Sequence, residues 1–96
     1  MGYKIIFKKR FAKNLLNVLI YLEQEWGKNV ADEFQDKINN AVNLLKAHPN
    51  IGAPSKKRPV ARGLLITKHN RLFYRIENNT IIIILLADTR RKSYNQ

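Results

Sequence analysis

The sequence predicts an α+β fold in which a helical hairpin packs on one face of an antiparallel sheet, in the order β-α-α-β-β-β. Two observations lead to this fold. The first half of the chain carries two apolar stripes with helical spacing, and the second half carries three short apolar runs separated by turn residues. A length of 96 residues predicts a single domain, residues 1–96.

The first half begins with a short strand, YKIIF at Tyr3–Phe7, followed by two helices. The first helix spans about 11–26 and ends at Gly27, and the next helix is capped by Asn29. Pro49 ends the second helix, and the short junction at Gly27 makes the two helices antiparallel. The side chains expected in the core are Phe11, Leu15, Leu22, Trp26, Phe34 and Leu45.

The second half begins with a loop, HPNIGAPSKKRP, and continues with three strands at about 61–67, 71–77 and 80–87. Asn78 and Asn79 predict a tight turn between the last two strands, because asparagine tolerates positive φ. In the middle strand, Leu72, Tyr74 and Ile76 are expected to face the helices.

The last strand is apolar without a break from Ile81 to Ala87. Simple alternation places Ile82, Ile84 and Leu86 on one face and Ile81, Ile83 and Leu85 on the other. Two helices cover only one of those faces. We therefore expect the row Ile81, Ile83 and Leu85 to meet a protein partner, since large exposed apolar patches mark interfaces. The alternative is a central strand shielded by loops or by the C-terminal tail.

The formal net charge of +11 and the pI of about 10.3 are extreme for this length. No acidic residue occurs in residues 37–76, which carry nine lysines and arginines, whereas five of the seven acids lie in residues 23–36. Such segregation predicts one strongly positive surface, suited to a polyanion or an acidic protein. A solvated face that only aids solubility is the alternative.

Several classes of protein are excluded or disfavoured by composition. The chain has no cysteine, so disulfides and thiolate metal sites are excluded, and the two histidines cannot form a structural zinc site unaided. No apolar stretch is long enough to span a membrane, and the N-terminus lacks the pattern of a signal peptide. We expect a cytoplasmic protein without a cofactor, a metal or a membrane contact.

Five segments together resemble the RelE/ParE toxin superfamily of bacterial type II toxin–antitoxin modules. They are YLEQEWG, ADEF, LLKAHPNIG, ITKHNRLFYRI and LLADTRR, in this order along nearly the whole chain. The resemblance implies a toxin that halts growth until an acidic antitoxin covers its exposed surfaces. Members resembling ParE inhibit DNA gyrase by binding, whereas members resembling RelE cut messenger RNA on the ribosome.

The ribonuclease alternative needs a base, cations that stabilise a phosphate transition state and an acid, but no metal. The resemblance places these roles on Arg62, Arg71, Arg90 and Tyr94. Two positions depart from the ribonuclease pattern: Leu64 replaces a lysine, and Asp88 stands where a cation is expected. Asp88 either opposes phosphate binding or pairs with Arg90. His69, in a predicted turn, is a further candidate base.

The gyrase alternative needs a binding surface rather than a catalytic set, and HPNIG, KHNRLFYRI and DTRR look closer to ParE-like members. The basic residues that would form this surface are Lys56, Lys57, Arg58, Arg90, Arg91 and Lys92. A non-toxic nucleic-acid-binding domain is a third alternative, although neither helix carries the basic stripe of a groove reader.

Overall fold

The computed structural model describes residues 2–57 and 60–90. Its elements, in chain order, are β1 (Lys4–Phe7), α1 (Lys9–Trp26), α2 (Lys28–Ala47), β2 (Ala53–Pro54), β3 (Arg62–Thr67), β4 (Asn70–Glu77) and β5 (Thr80–Asp88). The predicted α+β order is confirmed. The short strand β2 was not predicted, because the sequence pattern of its two residues is that of a loop.

The five strands form one sheet in the order β1-β5-β4-β3-β2. Strand β1 runs parallel to β5, and the other neighbours are antiparallel, so the sheet is mixed rather than wholly antiparallel as predicted. The direction of an antiparallel strand is set by its hairpin turn. Strand β1 leads into a helix instead of a hairpin, and its direction therefore had no signal in the sequence.

Gly27 joins the two helices and fits its predicted role. Its φ of 96° is a conformation that favours glycine, and its N–H donates to the Glu23 carbonyl at the end of α1. The predicted cap at Asn29 is wrong, because α2 already begins at Lys28 and Gly27 occupies the cap position. The Gly27 carbonyl accepts the first hydrogen bond of α2, from Ala31 N–H at 3.3 Å.

The core lies between the helical hairpin and one face of the sheet. Tyr74 and Leu72 face the helices with no exposed surface, and Ile76 packs against the same cluster, as predicted. Trp26 does not belong to this core: it lies in the last turn of α1, beside the Gly27 turn, and 68% of its surface is exposed. The expectation that Trp26 is a core residue is therefore wrong.

A β-bulge in β5 changes which of its side chains share a face. Phe73 pairs with Leu85, whereas the next residue of β4, Tyr74, pairs with Ile83, so Ile84 is an extra residue without a partner in the ladder. The predicted row of Ile81, Ile83 and Leu85 therefore does not exist. Ile81 and Ile83 are fully buried against the helices and cannot meet a partner, and Leu85 lies on the opposite face beside Phe73.

Strand β5 extends beyond the end of β1, which stops opposite Ile83. Past this point the side of β5 that faced β1 is covered by α1, where the Asn14 Oδ1 accepts a hydrogen bond from Leu86 N–H at 3.1 Å. A buried backbone donor without a partner is costly, and Asn14 removes that cost.

Among residues 2–57 and 60–90, no helix is long and apolar enough to cross a membrane.

Candidate functional site

Arg62 lies at the start of β3, opposite Tyr74 of β4, on the face of the sheet that meets the helices. Its Nη1 donates to the Asn50 carbonyl at 3.1 Å and to the Gly52 carbonyl at 2.7 Å. Both acceptors belong to the segment between α2 and β2. The guanidinium proposed from the resemblance as a catalytic cation is therefore bonded to backbone carbonyls of this segment.

Tyr74 holds the same segment from the neighbouring strand. Its hydroxyl donates to the Pro49 carbonyl at 2.6 Å and accepts the Gly52 N–H at 2.9 Å. The fit is close, since a Cβ added at Gly52 would lie 2.7 Å from both the Cε1 and the hydroxyl of Tyr74. Glycine is therefore required at position 52 for contact rather than for backbone conformation.

Burial raises the pKa of the Tyr74 hydroxyl above its ordinary value, and the Gly52 hydrogen bond and the Arg62 charge oppose that shift less strongly. The Tyr74 hydroxyl is thus harder to ionise in the folded chain than in the unfolded chain. This difference stabilises the fold fully below about pH 10, the ordinary pKa of tyrosine. The stabilisation is lost as the pH rises through the pKa of Tyr74 in the folded chain.

We expect the free energy of unfolding to decline more steeply above about pH 10 in the wild type than in Tyr74→Phe. The two slopes should differ by at most about 1.4 kcal/mol per pH unit. Urea unfolding at a series of alkaline pH values measures both slopes. Tyr21→Phe is the matched control for the chemical change, because it removes the hydroxyl of a tyrosine that is 56% exposed. Equal slopes in wild type and Tyr74→Phe would contradict the prediction.

Arg71 lies on the opposite face of the sheet from Arg62. It pairs with Leu65 and Ala87, and its side chain passes over Gly63, where an added Cβ would lie 2.8 Å from the Arg71 Cδ and 3.1 Å from the Phe73 Cε1. The two cations assigned from the resemblance to one catalytic set are thus separated by the sheet itself. Tyr94, the third side chain of that set, lies outside the described residues.

Arg90, the fourth member of the predicted set, is paired with Asp88. Its Nε and Nη2 donate to the two carboxylate oxygens of Asp88 at 3.0 and 2.8 Å, and its backbone N–H donates to the same carboxylate at 2.9 Å. The hydrogen bond and the charge of Asp88 raise the pKa of Arg90. Of the two alternatives for Asp88, the structure has the pair with Arg90.

His69 lies in the turn between β3 and β4. Its backbone N–H donates to the Thr67 Oγ1 at 3.1 Å, and its carbonyl accepts the Thr89 N–H at 2.9 Å. These backbone contacts fix the turn against the end of β5 and assign no role to the imidazole. Within residues 2–57 and 60–90, no group of three histidine, aspartate or glutamate side chains lies together as a metal site would require.

The predicted basic surface is partly described. Lys56 and Lys57 are exposed in the segment between β2 and β3. Arg58, Arg91 and Lys92 lie outside the described residues. What the structure describes of this set is the two exposed lysines and Arg90, whose charge is matched by Asp88. They do not form one continuous surface. The lysines follow the pair of Pro54 with Arg62 at one end of β3, whereas Arg90 follows Asp88, which pairs with Asn70 at the other end.

An apolar groove of about 710 Å³ runs between α1 and α2, and the sequence reasoning did not identify it. Its lining residues are Phe7, Phe11, Ala12, Leu15, Leu16, Leu19, Gln35, Ile38, Asn39, Val42 and Asn43. Leu16 and Phe7 are 57% and 51% exposed there. The signal that the sequence offered was a second apolar row at four-residue steps, Ala12, Leu16 and Ile20, beside the core stripe of α1.

A sequence model of one family, described as the ParE toxin of the type II toxin–antitoxin system parDE, matches residues 5–94. This chain belongs to the ParE toxin family. A search of curated protein sequences found no significant match. The superfamily expected from the sequence is confirmed, and with it the role of the chain as the toxin of a type II module whose partner is an antitoxin.

Solved structures of toxins share the fold of this ParE family member at low sequence identity. The chromosomal ParDE system of P. aeruginosa matches with a TM-score of 0.77 and 18% identity over 90% of this chain and 95% of that one. The RelBE2 toxin–antitoxin complex of Mycobacterium tuberculosis matches with a TM-score of 0.64 and 16% identity, over 92% and 99%. The YoeB dimer of Staphylococcus aureus gives 0.60 and 19%, over 88% and 94%.

Proposed function

We propose that this ParE family toxin acts in the cytoplasm by binding DNA gyrase and inhibiting it, through basic residues that include Lys56 and Lys57 at one end of β3 and Arg90 at the other. The observation that carries the proposal is the match of residues 5–94 to the ParE toxin family. The net charge of +11 supports it, because a strongly cationic surface speeds association with an acidic target. Arg58, Arg91 and Lys92 contribute to the same net positive charge.

The placement of the catalytic candidates also supports a function in binding. General acid–base catalysis of RNA cleavage needs its groups within hydrogen-bonding reach of one phosphodiester. Arg62 is bonded to loop carbonyls on the helix side of the sheet, Arg71 lies on the other side, and Arg90 is paired with Asp88. The described members of the set thus do not surround a common point.

Ribosome-dependent cleavage of messenger RNA is the second candidate, and one observation favours it. Arg71 lies beside Phe73 on the sheet face that the helices do not cover, and an arginine next to an aromatic ring suits a phosphate and a stacked base. In this alternative Arg71 is the phosphate-binding residue, and Tyr94 contributes stacking or proton transfer.

Expression of the toxin in growing bacteria without an antitoxin tests both candidates. We expect double-strand breaks and impaired supercoiling, while messenger RNA stays intact when its 5′ ends are mapped. Fresh cuts within translated messages over unbroken DNA would reject the gyrase proposal in favour of the ribonuclease. Arg71→Ala is the informative variant: in a ribonuclease it should abolish RNA cleavage, whereas in a gyrase inhibitor it should leave inhibition unchanged.

We further propose that the α1–α2 groove, rather than β5, is the surface covered by the antitoxin. An apolar floor with partly exposed leucine and phenylalanine side chains is suited to the apolar face of a partner helix. The exposed cations Lys9 and Lys13 lie on α1 three residues before Ala12 and Leu16 of the groove, so they flank it. An acidic antitoxin would meet both features.

A further inference from the structure

The exposed lysines Lys56 and Lys57 lie at the end of a β-hairpin formed by β2 and β3. Ala53 pairs with Gly63 and Pro54 pairs with Arg62. One residue further along, the Ser55 N–H donates to the Ala61 carbonyl at 2.8 Å and extends the pairing toward the tip. The two lysines follow directly, so the hairpin carries its positive charge at its tip.

The pairing within this hairpin is too short to fix its orientation. Strand β2 has two residues, and it is the edge strand of the sheet. A two-stranded ribbon with so few ladder pairs is only marginally stable by itself. Strand β3 is held in the sheet by its pairing with β4, so further contacts are needed to hold β2 and the tip in one direction relative to the sheet.

The hydrogen bonds of Arg62 and Tyr74 supply those contacts at the base of the hairpin. The two residues face each other across β3 and β4, and together they make four hydrogen bonds to the backbone of residues 49–52, immediately before β2. Three of the four have lengths of 2.6 to 2.9 Å. We call this set of contacts the Arg62–Tyr74 clamp.

The hydrogen bonds of the clamp are distinct from the apolar contacts that its side chains make in the core. The ring of Tyr74 fills the space beneath the helices, whereas its hydroxyl bonds to Pro49 and Gly52. Within the described residues, the Arg62 guanidinium donates its hydrogen bonds to the same segment. The polar ends of both side chains are therefore directed at the backbone that leads into the hairpin.

We propose that Arg62 and Tyr74 are positioning residues, which hold the β2–β3 hairpin in the orientation in which Lys56 and Lys57 meet an acidic surface of the target. This inference rests on the proposed inhibition of gyrase and states how the target-binding surface is kept in place. A hairpin that is ordered before binding loses less conformational entropy when it binds. Arg62 is thus assigned a role different from the catalytic one implied by the resemblance.

Tyr74→Phe is the main test, because it keeps the ring and removes both hydrogen bonds of the hydroxyl. We expect the toxin concentration for half-inhibition of gyrase supercoiling to rise about tenfold, from the added cost of ordering the hairpin. Arg62→Met removes the other two hydrogen bonds and should have a similar effect. It carries the test if Tyr74→Phe does not fold.

A double-mutant cycle separates positioning from a general loss of stability. In a Lys56→Ala/Lys57→Ala background, Tyr74→Phe should raise the half-inhibition concentration by less than twofold, because the two lysines whose placement depends on the clamp are absent. Ile81→Val is the matched control: Ile81 is a fully buried core residue of β5, so the change lowers the melting temperature without touching the clamp or the α1–α2 groove. It should leave gyrase inhibition unchanged.

Three results would overturn the inference. In the first, Tyr74→Phe and Arg62→Met each inhibit gyrase as the wild type does; in the second, their effects are the same with and without the tip lysines. In both cases gyrase inhibition itself stands and only the clamp is rejected. A wild-type toxin that leaves gyrase unaffected would reject the proposed function, and the clamp's role in it as well.

Discussion

Reversal of both tip charges, in Lys56→Glu/Lys57→Glu, is expected to raise the toxin concentration needed to inhibit gyrase by on the order of a hundredfold. Lys56 and Lys57 are exposed, so their replacement leaves the core and the clamp intact and should change the melting temperature little. The loss would arise because an attractive contact with an acidic target becomes a repulsive one.

The supercoiling assay on purified gyrase measures this effect directly. Lys13→Glu/Lys37→Glu is the matched control, since both lysines are exposed on the helices and the change in net charge is the same. If total charge alone drove inhibition, both double variants would lose equally. An effect confined to the hairpin variant is the expected result, and equal losses would reject a localised surface.

Salt provides a second readout of the same contact. The inhibition by the wild type should weaken as ionic strength rises, because exposed charges are screened over about 10 Å at 0.1 M salt. The hairpin variant should show a smaller dependence, since it has lost attractive charge at the contact. The helix control should retain the dependence of the wild type.

Local signals in the sequence were sufficient to predict most of the fold. The two apolar stripes gave both helices, Gly27 gave their junction, and the turn at Asn78 has the positive φ, 57°, that asparagine was expected to accept. Each of these features depends on residues close together in the chain. The direction of β1 depends on contacts with a strand at the other end of the chain, and it was not predicted.

The bulge in β5 could not be predicted because Ile81–Ala87 contains only apolar residues. In an alternating strand, a polar residue out of phase would mark an insertion. Here Ile84 looks the same as its neighbours, so nothing in the sequence indicates that it is the extra residue. That single shift moved Leu86 into the core, left Leu85 on the opposite face and removed the predicted partner-binding row.

In the candidate site as well, the contacts between residues close in the chain could be predicted and the contacts between distant residues could not. The pair between Asp88 and Arg90 joins residues two apart, and it was one of the alternatives considered from the sequence. The clamp joins Arg62 and Tyr74 to carbonyls and an amide at least ten residues away in the chain. Backbone acceptors carry no residue-specific signal, which is why Arg62 was given a catalytic role by resemblance.

The antitoxin groove gives the other large expected effect. Leu16→Glu should weaken the antitoxin complex by at least about a hundredfold, because a carboxylate would be buried in an apolar interface without a partner. The toxin itself should stay folded, since Leu16 is 57% exposed in the free protein. Gyrase inhibition by the free variant should also be unchanged, because the groove lies between the helices and the tip lysines lie in the β2–β3 hairpin.

Isothermal titration with the antitoxin that co-purifies with the tagged toxin measures this affinity, and co-expression in bacteria gives a second readout. An antitoxin that no longer binds Leu16→Glu should fail to rescue growth, although it still rescues the wild type. Leu65→Glu is the matched control, a leucine of similar exposure, 52%, that lies on β3 and outside the groove lining. Rescue of Leu16→Glu together with failure to rescue Leu65→Glu would place the antitoxin on the sheet instead, because the two leucines differ chiefly in the surface to which they belong.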